Sequence, residues 1–169
     1  MKKILAVYTK ILEAIIAVLL GIMVVLVFGN VVLRYGFNSG IIVSEELSRW
    51  MFIWVTFLGS IVALREHGHL GTTFVLNAIP YWAKRICLVA SHIIMIYICW
   101  LVFDGALAQT IINMNVSAPI TGMSVGIFYS SGIVFAVSGA LILFGDLLTL
   151  LTGSHSDIDK FLDSEGEHA

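Results

Sequence analysis

Three observations predict an all-α integral membrane protein with four transmembrane helices. Charge is scarce, four long apolar runs divide the chain, and the basic residues gather on one side of those runs. Of the 169 residues 59% are hydrophobic and 12% are charged. The charged share is half of the ~25% usual in soluble domains. Mean hydropathy is +1.00. The runs fall at 14–33, 44–64, 86–107 and 127–151. A helix of about 21 residues rises about 31 Å, the thickness of a bilayer's hydrocarbon core.

The first run follows Met1-Lys2-Lys3, which has the charge of a signal-peptide start. The run is longer than the ~7–15 residues of a signal's apolar region, and no small-residue cleavage site follows it. It therefore reads as an uncleaved first helix. The second run spans a membrane only if its polar first turn is counted, which sets Glu45, Glu46 and Arg49 at a membrane surface. Segment 72–85 holds a short apolar patch, then Pro80, Tyr81, Trp82, Lys84 and Arg85. An aromatic and basic cluster beside such a patch predicts a short helix lying in the cytoplasmic interface. Residues 1–151 form one four-helix domain, and 152–169 form a polar, acidic cytoplasmic tail. With the N-terminus inside, Lys2, Lys3, Lys10, Arg65, Lys84, Arg85 and Lys160 are cytoplasmic, and Arg34 and Arg49 lie outside. This bias puts both termini in the cytoplasm.

Ionisable groups inside a membrane mark function, so their depth matters. Glu13, Asp104 and Asp146 stand near helix ends, and His92 lies about 10 Å in from Arg85 at the helical rise. No acid or base occupies a helix centre, and no proline interrupts a run. Ion-coupled carriers place polar groups or broken helices near the midplane. The pattern predicts a protein that packs, anchors and orients. Two alternatives stand beside it. A self-sufficient, homo-oligomeric small carrier would need a midplane acid. A haem or redox anchor subunit would need two histidines at matched depth, and His92 alone is deep. Cys87 and Cys99 do not form the close pair of a membrane thiol oxidoreductase. Phosphate loops, zinc-protease motifs and nucleophile elbows are missing, so no enzyme, cofactor or metal site is expected. Scattered basic residues speak against nucleic acid.

Small residues recur at close-packing spacing: Gly132, Ala136 and Ala140; Ala14, Ala17 and Gly21; Thr56 and Ser60; Gly59 and Ala63. The stretch from Ser44 to His69 carries the most decoration. Ser44 is placed to cap a helix whose first turn holds Glu45 and Glu46. Arg49 is three and four residues beyond the acids and can reach either. Trp50 suits an aromatic belt, and Trp54, one turn deeper on the same face, suits a helix contact. Arg65, His67 and His69 mark the cytoplasmic surface.

These residues resemble a known family. The runs NVVLRYGFN, SEELSRWMFIWVTFLG and ALREHGHL look like the small permease subunit of TRAP (tripartite ATP-independent periplasmic) transporters. Arg34, Tyr35, Glu45, Glu46, Arg49, Trp54, Phe57, Gly59, Arg65 and His69 fall on that pattern. Val43 and the pair Thr72-Thr73 depart from it, where the family often has a tryptophan and an acid. The resemblance implies a multi-pass protein of the bacterial inner membrane. It implies a heterodimer with a large permease subunit that holds the substrate and sodium sites. It further implies a periplasmic substrate-binding protein docking on that pair. The role implied is to brace the large subunit during sodium-driven uptake of an organic acid, sialic acid or a dicarboxylate-like carboxylate. The residues expected to form the motif and its partner or lipid interface are Arg34, Glu45, Glu46, Arg49, Trp50, Trp54, Gly59, Arg65, His69 and Trp82.

Overall fold

The computed structural model describes residues 2–65 and 80–152. Four helices follow one another: α1 Lys2–Gly36, α2 Ile42–Arg65, α3 Tyr81–Asn113 and α4 Gly126–Thr152. All four are long and apolar enough to cross a membrane. α1 starts at Lys2 rather than at position 14, because an apolar run marks the hydrocarbon and not the helix. The backbone keeps its own hydrogen bonds through the interface until something stops it.

Those stops are readable. α1 gives way at Gly36, and Asn38 then takes a left-handed φ of 53°, which asparagine tolerates. Pro80 has φ −61° and ψ 148° and stands just before α3, where its missing N–H costs nothing. Tyr81–Arg85 are thereby the opening turns of α3 and not part of a separate interfacial helix. Trp82, expected on that helix, lies 68% exposed in the first turn of α3. Positions 72–79, His69 and the tail 153–169 lie outside the described residues.

The helices alternate up and down. α1 packs on α2, α2 on α4, and α4 on α3. Near the chain-terminal end, Tyr8 and Ser138 hydroxyls meet at 2.9 Å and Arg85 Nη2 donates to Leu151 O at 3.0 Å. The latter contact satisfies a carbonyl that the end of α4 leaves free. The core joins Leu12 of α1, Leu58 and Ile61 of α2 and Ile142 of α4, with Trp54 and Phe135 packed against it.

Small residues matter in fewer places than their spacing implies. A Cβ on Gly132 would stand 3.0 Å from Ala106 Cβ, and Ala136 is 1% exposed, so this stripe lets α4 close on its neighbours. On Gly21 and Gly59 an added Cβ would meet nothing within 4 Å. Ala14, Ala17 and Gly21 all face outward. Thr56 and Ser60 turn their hydroxyls to their own helix, bonding Phe52 O and Thr56 O, each at 2.8 Å. That is the ordinary way to satisfy a hydroxyl in lipid.

Candidate functional site

The polar side chains concentrate where α2 begins. Asn30, buried in the apolar stretch of α1, accepts from the Ile41 N–H at 2.7 Å and donates to Glu45 Oε1 at 3.4 Å. Ser44 is buried one residue before the acids, inside α2. Its hydroxyl donates to Leu26 O of α1 at 2.7 Å, so it clasps two helices together and does not cap its own. Arg34 Nη1 stands 3.7 Å from Glu45 Oε1. Both side chains are well exposed, so this pair orients more than it stabilises. Asn30, Arg34, Ser44 and Glu45 line a cleft of about 250 Å³ at this corner.

Glu46 points the other way. Adjacent helical residues differ by about 100° in direction, so neighbouring acids serve different partners. The Glu46 carboxylate is buried and accepts from the backbone N–H groups of Ile120 at 3.1 Å and Thr121 at 3.2 Å. The Thr121 hydroxyl also donates to it. These donors sit at the tip of a small hairpin between α3 and α4. The hairpin is closed by Ala118 N–H to Met123 O and Val125 N–H to Val116 O, each at 2.8 Å. Gly122 at φ 71° turns the tip, a conformation that suits glycine. Successive backbone N–H groups make a concave anion seat, and Glu46 fills it.

Arg49 therefore acts on Glu46 only through space, as the weakest of the influences on that carboxylate. Among the described residues it forms no ion pair with Glu45 or Glu46, and its side chain is exposed. Both carboxylates are engaged elsewhere, and the guanidinium is left on the outer side of α2. Trp50 also departs from expectation. It is 9% exposed and packs edge-on against Phe128 of α4, ring centres 6.1 Å apart, instead of facing a lipid belt. Trp54 is half-buried against the core. At the other end of α2, Arg65 Nη1 donates to the hydroxyl of Thr9, which is 1% exposed.

Sequence reasoning overlooked Asn30, Thr9 and Thr121. Asn30 carried a usable signal, since an amide inside an apolar run needs a partner. Thr121 carried none, because its role depends on where the hairpin tip lands. His92 is buried, with Nδ1 2.9 Å from Leu88 O, one turn back on α3. Cys87 is exposed and Cys99 buried, both as free thiols. Among the described residues no group of His, Cys, Asp or Glu could hold a metal ion.

Fold and site together define a multi-pass membrane protein whose polar groups tie helix ends to each other and to a hairpin. Residues 23–153 match the family described as Tripartite ATP-independent periplasmic transporters, DctQ component. A Haemophilus influenzae protein assigned as a TRAP transporter small permease is 37% identical over 142 residues, 84% of this chain and 88% of that one. A second protein of that organism with the same assignment is 34% identical over 76% of this chain and 78% of its own. The C4-dicarboxylate TRAP transporter small permease protein DctQ of Vibrio cholerae is 30% identical over 52% of this chain and 41% of its own. The chain belongs to this family and is a small permease subunit of a tripartite transporter.

Proposed function

We propose that this subunit braces a large permease partner in a heterodimer of the bacterial inner membrane. In that complex the large subunit holds the substrate and sodium sites. A periplasmic binding protein delivers an organic acid, sialic acid or a dicarboxylate-like carboxylate, and sodium drives its uptake. Both termini face the cytoplasm in this reading, and the α2 start and the hairpin face the periplasm. This chain needs no cofactor of its own.

One observation carries the proposal. Among the described residues the middle of each apolar run holds no acid or base: Glu13, Asp104 and Asp146 stand toward the ends of those runs, and His92 Nδ1 lies 2.9 Å from Leu88 O. Such a protein offers packing surface and defined ends, without a midplane binding group. Much of α1 is unpacked by its own chain: Val18, Val25 and Phe28 are 61%, 70% and 67% exposed.

The test is co-expression with the neighbouring large permease, followed by reconstitution. The subunit is expected to co-purify with that protein, and proteoliposomes should take up substrate only with both membrane subunits, the binding protein and a sodium gradient. Uptake by vesicles holding this chain alone would overturn the proposal. The binding protein's ligand, read by calorimetry, would identify the acid.

A further inference from the structure

A groove of about 390 Å³ runs between α2, α3 and α4, beginning just inside the α2 start. Its walls include Phe52, Ile53 and Thr56 of α2, Gly105 of α3 and Phe128 of α4. Arg49 precedes Phe52 by three residues, Ile53 by four and Thr56 by seven. At 100° per residue these four share one face, with Arg49 one turn nearer the membrane surface. We infer that Arg49 and this groove form a site for one anionic phospholipid, its phosphate on the guanidinium and one acyl chain along the groove.

Three features favour a lipid here. The groove is apolar and lies within the span, at the depth of the first methylenes of a chain. Helical side chains lean toward the helix N-terminus, so Arg49 reaches outward from the groove to headgroup level. Arg49 and Arg65 are about 24 Å apart along the helix axis, so each sits near one edge of the hydrocarbon core. The Arg49 guanidinium is also exposed and in no close ion pair, its attraction to Glu46 acting through space. Glu45 is committed to Asn30 and Arg34, and Glu46 to Ile120 and Thr121. A guanidinium binds a phosphate through two parallel N–H donors, a geometry that an ammonium lacks. The result is a positive group above an apolar slot, the complement of a negative headgroup above a chain.

Native mass spectrometry of the full chain in mild detergent tests this, with dioleoyl phosphatidylglycerol and dioleoyl phosphatidylcholine as probes. Wild type should retain one phosphatidylglycerol at least about tenfold more strongly than phosphatidylcholine. Arg49→Ala should abolish that preference, and Arg49→Lys should keep part of it. Gly105→Leu should lose both lipids. An added Cβ at Gly105 meets nothing within 4 Å, so the leucine fills the groove without a backbone clash. Gly21→Leu, on α1 and away from the groove, should bind as wild type. Melting temperatures check that each variant folds, and Arg49→Ala, at an exposed position, keeps the test valid if Gly105→Leu does not fold. Equal retention of the two lipids by wild type, or an unchanged preference in Arg49→Ala, would overturn the assignment. So would loss of the lipid from the assembled pair with the large subunit, because a protein surface would then cover the groove.

Discussion

Glu45 and Glu46 are chemically identical neighbours with separate tasks, and their substitution should separate them. Glu46→Ala removes the only acceptor that the described structure offers the Ile120 and Thr121 N–H groups. Glu45→Ala removes one long hydrogen bond and one exposed ion pair. Thermal unfolding in detergent should show a clearly larger drop for Glu46→Ala, and limited proteolysis should cut its hairpin faster. Equal drops would deny the hairpin seat its role. Thr9→Val keeps shape and removes the hydroxyl that receives Arg65. It is expected to cost about 1 kcal/mol, the net worth of such a bond, measurable as a shift in the unfolding midpoint.

The helices differ in how they use glycine. On α4, Gly132 stands against Ala106, and a larger side chain has no room. Gly132→Leu should destabilise the isolated subunit by about 1–3 kcal/mol, the usual cost of overpacking. Gly59→Leu on α2 and Gly21→Leu on α1 should change it by less than about 0.5 kcal/mol, since an added Cβ at either position meets nothing within 4 Å. Unfolding of the three purified variants checks the order. If Gly59→Leu impairs co-purification with the large subunit while leaving the free subunit stable, that face belongs to the partner. The small-residue spacing could not make this distinction, because a stripe looks alike whether it faces a sister helix, another protein or lipid.

The four helices tie together at both ends. At one end Ser44, Asn30 and Glu46 link α1, α2 and the hairpin. At the other, Thr9, Arg65, Arg85 and Leu151 link α1 to α2 and α3 to α4. In an alternating bundle with this bias of basic residues, both termini should be cytoplasmic. Reporter fusions after residue 152 and within the hairpin test it. Green fluorescent protein should fluoresce on the first, alkaline phosphatase should be active on the second, and the reverse pattern would invert the bundle.

The number of helices, their order and the concentration of polar groups around α2 were legible in the chain, because they follow from local facts. Hydrophobic length is set by the bilayer, and a breaker such as Pro80 acts on its own backbone. Helix ends were less legible, since the helix continues beyond the apolar run wherever its own hydrogen bonds are kept. Partners were the least legible. Helical spacing allowed Arg49 to reach Glu45 or Glu46 at similar cost. The choice fell to groups far along the chain: Arg34 and Asn30 took Glu45, and a hairpin more than seventy residues later took Glu46. The backbone N–H groups of Ile120 and Thr121 at that tip take an acceptor from another helix. Only the folded arrangement sets a carboxylate there, and it leaves Arg49 exposed, acting on Glu46 through space alone.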